Sequence, residues 1–162
     1  ELLSVMEKEK KNLKTNIPIV VKISPDILDE QVYQISEILI KYKVQAIIIS
    51  NSTDSGRENL KSESKYQKGG LSGKPLEKKS NLLISKFYNL LKGKIYIIGV
   101  GGVDSGKSAY DKFLAGANYL QLYTGMVFQG PDIVSKIKKE LRELLINDGV
   151  NNFKDIVGNK NT

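Results

Sequence analysis

Apolar residues along this chain fall into two alternating patterns. Four short runs are nearly continuous: Ile19 to Ile23, Ala46 to Ser50, Ile95 to Val100, and Tyr119 to Tyr123. Their length and β-branched content predict strands, and the lack of strict polar alternation predicts strands buried on both faces of a parallel sheet. Elsewhere apolar residues recur at helical spacing. Ile27, Leu28, Val32, Ile35, Ile38 and Leu39 form one such stripe, and Leu82, Leu83, Phe87, Leu90 and Leu91 a second. Ala109, Phe113 and Leu114 mark a third helix, and Ile133, Val134, Ile137, Leu141, Leu144 and Leu145 a fourth. A strand followed by a helix, four times over, predicts right-handed parallel βα units and an α/β fold. Periodicity leaves two architectures open, a doubly wound sheet and half of a closed barrel.

The polar punctuation adds a direction. Ser50-Asn51-Ser52-Thr53, Gly101-Gly102 and Tyr123-Thr124-Gly125 each fall just after a predicted strand. In both architectures functional residues gather at that carboxyl edge. One connection is unusual: from Asp54 to Pro75 the chain shows no apolar period, far beyond the ~2–6 residues of an ordinary βα loop. Gly69-Gly70-Leu71-Ser72-Gly73 near its end favours an active-site cover over a mobile segment. Asn151 to Thr162 reads as a polar tail.

Composition bounds the chemistry. The 162 residues, 40% hydrophobic and 27% charged, suit one globular domain with a real core. A complete (β/α)8 barrel needs roughly 250 residues, so a barrel reading requires the remainder to come from elsewhere, and a start at Glu1 is expected of a fragment or a processed chain. No run approaches the ~20 apolar residues of a membrane span, and no charged leader precedes an apolar stretch. Cysteine and histidine are absent, which excludes disulfides, thiolate or imidazole metal sites and a Ser-His-Asp triad built from this chain. The net charge of +7 is spread over the polar faces of predicted helices, which reads as solvated surface and not as a nucleic-acid footprint. The basic stretch Lys8 to Lys14 reads as a solvated helix end.

Four places hold candidate chemistry. Gly99-Val100-Gly101-Gly102 follows an apolar strand, and Asp104-Ser105-Gly106 leads into a helix. Glycine backbone lets N–H groups approach an anion, and the helix start adds a favourable dipole. The same residues also suit a tight strand-to-helix turn capped by Asp104 or Ser105. Tyr123-Thr124-Gly125 ends the next strand, so backbone donors from two neighbouring strand ends can converge on one phosphate, as barrels often arrange after their last two strands. Lys22 interrupts the apolar run Ile19-Val20-Val21-Lys22-Ile23, where a buried ammonium would need an anionic partner. The alternatives are a solvent-facing lysine or one paired with a carboxylate. Ser50-Asn51-Ser52-Thr53 offers donors and acceptors suited to a planar polar ligand, or simply a turn.

Together these residues resemble a known family. Val21-Lys22-Ile23-Ser24-Pro25-Asp26, Ile49-Ser50-Asn51-Ser52-Thr53, Gly69-Gly70-Leu71-Ser72-Gly73-Lys74-Pro75-Leu76, Ile98-Gly99-Val100-Gly101-Gly102-Val103 and Gln121-Leu122-Tyr123-Thr124-Gly125 are similar, in order and spacing, to successive motifs of the class 2, quinone-dependent dihydroorotate dehydrogenases. The likeness runs from about Ile17 to Gly158, and the Gly-Gly-Leu-Ser-Gly form favours class 2 over the soluble class 1 enzymes.

The resemblance implies an FMN-dependent (β/α)8 barrel that oxidises dihydroorotate to orotate in pyrimidine (UMP) biosynthesis with ubiquinone as acceptor. Residues 1–162 would be the C-terminal half of that barrel, its last four βα units. Carried over by motif, Lys22 would contact the flavin with Ser50 beside it, and Asn51 and Ser52 would bind the substrate. Ser72 and Gly73 would approach the flavin from the long loop, while Gly101, Gly102, Tyr123 and Thr124 would hold its phosphate. The family's usual Asn-Thr pair reads Asn51-Ser52 here, losing a methyl and keeping the hydroxyl. The serine base, the quinone tunnel and the membrane-associating part would lie in an upstream N-terminal half, so no catalytic residue is assigned within this chain, and the segment by itself is expected to be inactive. Class 2 membership implies the mitochondrial inner membrane. Two other readings fit the residues taken singly: a different phosphate-binding TIM-barrel enzyme, and a catalytically inactive scaffold.

Overall fold

The computed structural model describes residues 1–58 and 60–159. Helix α1 (Leu2–Asn12) precedes strand β1 (Val20–Ile23), α2 (Asp29–Lys41) and β2 (Ala46–Ile49). Then come α3 (Glu77–Leu91), β3 (Tyr96–Val100), α4 (Gly106–Ala115), β4 (Tyr119–Gln121), α5 (Thr124–Gln129) and α6 (Ile133–Asn147). The four strands form one parallel sheet in the order β1-β2-β3-β4.

That order decides between the two architectures. A doubly wound sheet reverses its strand order and carries helices on both faces. Here each strand pairs with the next in sequence, and crossovers of one hand place successive helices on one face. Leu39, Ile84, Phe87 and Leu91 of α2 and α3 pack with Ile47, Ile49 and Ile97 of the sheet in the main core. Val103, Ala109, Ile133 and Ile137 join α4 to α6 in a second cluster. The result is half of a (β/α)8 barrel.

Register explains which apolar residues are buried. Ile23, Ile49, Gly99 and Leu120 align across the sheet and point toward the helices. The alternate row of Lys22, Ile48, Ile98 and Tyr119 points the other way, as pleating requires. Burial on both faces, expected from the continuous apolar runs, is therefore met on one face only. Val20, Tyr96 and Tyr119 are 43%, 56% and 55% exposed on the uncovered face, where the two tyrosine rings meet edge to face at 5.8 Å.

Three further expectations change at their edges. The strand expected to reach Tyr123 stops at Gln121, because Tyr123 already caps the start of α5. Helix α2 begins at Asp29, after Ile27 and Leu28, with the Gln31 side chain accepting from Leu28 N–H at 2.8 Å. Of the region expected to be a polar tail, the part before 160 docks, while 160–162 lie outside the described residues: Phe153 lies 5.2 Å from Phe113 ring to ring, and Ile156 is 2% exposed. Phe153 and Ile156 share a short 3-10 turn whose i, i+3 spacing turns both inward. The Lys8 to Lys14 stretch ends the exposed helix α1, as expected.

Candidate functional site

The carboxyl edge of the sheet opens into a cleft of about 640 Å³. Four strand ends and the end of the long loop surround it. From β1 comes Lys22; from the turn after β2 come Ser50, Asn51 and Ser52. The long loop brings Ser72 and Gly73, the turn after β3 brings Gly101 and Gly102, and β4 leads into Tyr123 and Thr124. The residues carried over by motif thus line one cavity, whereas Thr53, Gly99, Ser105 and Gly106, also singled out from the sequence, do not.

The turn after β2 is tied to both neighbours. Asn51 N–H donates to Ile23 O at 2.9 Å and Ser50 N–H to Val100 O at 3.3 Å. Ser50 is buried, and its hydroxyl donates to Asn51 O at 3.0 Å. The Asn51 side chain faces the cleft from an exposed position. Lys22 is exposed on the uncovered face of the sheet. The burial expected from its apolar neighbours does not occur, because none of the described residues covers that face.

The long loop is fastened at its base and its tip. Thr53 and Leu71 exchange backbone hydrogen bonds of 3.0 and 2.7 Å in an antiparallel bridge. The Arg57 guanidinium donates to the carbonyls of Gln67 (2.6 Å), Lys65 (3.3 Å) and Gly69. Asp26 accepts from Lys79, Thr53 and the N–H of Asp54. Burial would raise the Asp26 carboxyl, but these donors outweigh it and hold the group well below the usual carboxylate range. The loop end then reaches α5, where the Ser72 and Thr124 hydroxyls are 2.9 Å apart.

Each glycine of the Gly99 to Gly102 run has a packing reason of its own. A Cβ on Gly99 would lie 3.1 Å from Lys112 Cδ. On Gly101 it would meet Leu76 at 2.9 Å, and on Gly102 it would overlap Glu77 Cβ at 2.4 Å. Gly101 and Gly102 also adopt φ of +106° and +75°, the region L-residues avoid. The bend is both tight and glycine-dependent. On the far side, a Cβ on Gly125 would lie 2.6 Å from Val103 O, so the turns after β3 and β4 touch. The first N–H groups of α5 have no intrahelical acceptors and stand at this junction.

One expected contribution is taken by the protein itself. Helix α4 was expected to aim its positive end at an anion, but Ser105 and Ser108 cap one another reciprocally. The Glu140 carboxylate accepts from Gly106 N–H at 2.6 Å. That helix start already holds its anion.

Against this geometry stand the similarities to known proteins. The family model described as Dihydroorotate dehydrogenase matches residues 1–145. The chain belongs to this family. Among curated proteins, the "Dihydroorotate dehydrogenase (quinone)" of Buchnera aphidicola subsp. Schizaphis graminum is 45% identical over 125 residues, covering 77% of this chain and 37% of that protein. The protein of the same name from Christiangramia forsetii is 42% identical over 144 residues, 88% of this chain and 42% of that one. A crystal structure of the Eimeria tenella DHODH in complex with ferulenol superposes with a TM-score of 0.86 at 35% identity, covering 89% of this chain and 38% of that chain. The chain therefore spans about two fifths of the length of the curated relatives it matches.

For a dihydroorotate dehydrogenase family chain, two groups at the cleft and one buried behind it were not singled out from sequence. Lys74 lies at the rim, its ammonium 2.6 Å from Glu77 and 3.3 Å from Asp104. The Glu77 hydrogen bond, partly opposed by burial and helped by Asp104, raises its pKa. Met126, Val127 and Phe128 of α5 expose apolar surface beside Tyr123 and the cleft, Phe128 by 84%. A six-residue helix interrupted by glycine gives too little periodicity to stand out. Lys112, assigned by pattern to a polar helix face, is fully buried behind Gly99. Burial pulls its pKa down to about 8, against the smaller upward pull of Glu77. One lysine within a helical stripe gives no sign in sequence that the facing strand has a glycine to admit it.

Proposed function

We propose that this chain forms the flavin-holding half of an enzyme that oxidises dihydroorotate to orotate and passes the electrons to a quinone, in pyrimidine (UMP) biosynthesis. What carries the reading is convergence: five separate segments of a dihydroorotate dehydrogenase family chain meet at one cleft at the carboxyl edge of a parallel sheet. The family is flavin-dependent in general, and FMN is the flavin whose phosphate the cleft suits. The donor set fits an elongated ligand with a planar polar head and an anionic tail. Backbone N–H groups, hydroxyls and the exposed ammoniums of Lys22 and Lys74 line the cleft, and the carboxylate on its wall, Asp104, is engaged by Lys74 and by Ser105.

In this reading Gly101, Gly102, Tyr123 and Thr124 hold the phosphate, where preorganised N–H dipoles cost no reorganisation. Ser72 and Gly73 lie along the flavin from the loop, and Ser50 sits beside it. Lys22 brings positive charge to the ring system, and Asn51 and Ser52 orient the substrate by hydrogen bonds. Bound FMN would supply a two-electron acceptor that no amino-acid side chain provides. The proton-abstracting serine belongs to an upstream half of the barrel, which would also cover the open sheet face and close its edges.

A quinone acceptor needs an apolar approach, and the exposed Met126, Val127 and Phe128 supply such a surface at the cleft mouth. Among the described residues no helix is long and apolar enough to cross a membrane. The quinone-named relatives from Buchnera aphidicola and Christiangramia forsetii are bacterial, which argues against a mitochondrion; the proposal is confined to a membrane surface.

The test is dihydroorotate-dependent reduction of a quinone analogue by the complete protein, with bound flavin followed by its absorbance. Turnover that is lost with the flavin and restored by FMN is the expected result. A complete protein that binds no flavin, or binds it without oxidising dihydroorotate, would refute the reading.

A further inference from the structure

Lys112 is a buried ammonium with no direct carboxylate partner among the described residues. Its Nζ donates to Asn81 Oδ1 at 2.7 Å and to Ser80 Oγ at 3.2 Å, both on the first turns of α3. Burying a charge against neutral acceptors is costly, and a methionine of similar length would fill the same space without that cost. The fold nevertheless makes room for it, since the lysine stem passes where a side chain at Gly99 would be.

What the ammonium does follows from the hydroxyl it meets. Ser80 has one proton to give, and an ammonium can only donate, so the Ser80 proton must go elsewhere. It goes to Val100 O at 2.5 Å, with Ile49 O farther away at 3.4 Å. Val100 O also accepts from Ser50 N–H on the β2 side. Two donors thus fix the direction of this carbonyl. In a planar trans peptide the C=O and the following N–H point in opposite directions. Fixing Val100 C=O toward β2 and α3 therefore fixes Gly101 N–H toward the β4 side, where Tyr123 and Thr124 line the cleft. Gly101 has φ +106° and no side chain, so its own backbone offers little resistance to rotation of this peptide.

We propose that Lys112 is a positioning residue for the anion site: through Ser80 it locks the Val100–Gly101 peptide so that Gly101 N–H faces the ligand phosphate. This rests on the flavin reading above and assigns a part of it to residues outside the cleft.

The test uses the complete protein, stripped of flavin and titrated with FMN and with riboflavin, which lacks the phosphate. Lys112→Met and Ser80→Ala should each weaken FMN binding by about tenfold or more, the scale of one charged hydrogen bond, while riboflavin binding changes little. The FMN-to-riboflavin affinity ratio therefore falls. Phe113→Leu, a buried change on the same helix that faces the cluster of Tyr110 and Ile156, should lower thermal stability and leave the ratio unchanged. Ser80→Ala removes one oxygen and carries the test if Lys112→Met does not fold. A wild-type ratio in either folded variant, or an equal fall in Phe113→Leu, overturns the role of Lys112 while leaving the flavin reading intact. Wild-type protein that takes up neither ligand overturns the flavin reading, and this inference with it.

Discussion

The two faces of the sheet are built from equally apolar residues and have opposite surroundings. Ile47, Ile49 and Ile97 lie under α2 and α3 at 0–1% exposure, while one residue along the same strands Tyr96 faces outward, more than half exposed. The helix-covered face holds the chain together. The other face presents Lys22 and two tyrosines to an open side, and the polar groups that line the cleft gather along the edge where the two faces meet. A strand that is apolar on both sides needs two covers, and the described residues provide one.

The contrast can be broken most sharply at Phe87, which is 0% exposed between α3 and the sheet. Phe87→Ala should cost about 3–5 kcal/mol in urea unfolding, whereas Tyr96→Ala on the open face should cost well under ~1 kcal/mol in this chain. Equal costs would mean that the open face is covered in solution. If an upstream half provides that cover, the cost of Tyr96→Ala should rise in the complete protein.

Gly102→Ala probes the edge between the faces. A methyl there meets Glu77 at 2.4 Å on a backbone at φ +75°, so a loss of at least about 1–2 kcal/mol is expected from the left-handed conformation alone. Bound flavin should fall with it. An alanine variant of unchanged melting temperature and flavin content would show that the bend is not held as described.

A pH effect separates the buried lysine of the covered side from the exposed one. Lys112 titrates near 8 in the folded chain against 10.5 for an ordinary lysine. Between these values the unfolded chain binds more protons, so stability should rise with pH there. Measured relative to Lys112→Met, wild-type stability should climb from about pH 8 to about pH 10.5; a flat difference would place the ammonium in water. Lys22→Met on the open face should give the smallest change, within about 0.5 kcal/mol, yet lower flavin affinity in the complete protein. A stability loss of several times that size would mean that Lys22 is buried and paired.

Much of this was legible from the order of residues. Four βα units, the positions of the polar turns and the residues that line the cleft follow from local patterns and ordered motifs, because strands, helices and turns depend on neighbours a few residues away. Strand ends were less legible: Tyr119 to Tyr123 reads as one apolar run, but α5 takes over at Tyr123, and β4 stops at Gln121. The anion-binding role expected of α4 failed because Glu140, 34 residues away, fills that helix start.

The sequence by itself determined that the chain is α/β and that its polar and glycine-rich turns follow the strands. Only the tertiary structure decided that the strands run in sequential order with one covered face, that Lys22 is exposed and Lys112 buried, and that Ser80 joins Lys112 to Val100. The physical reason is distance along the chain. Conformational preference is read from adjacent residues, whereas burial and hydrogen-bond partnership depend on which distant segment is packed alongside.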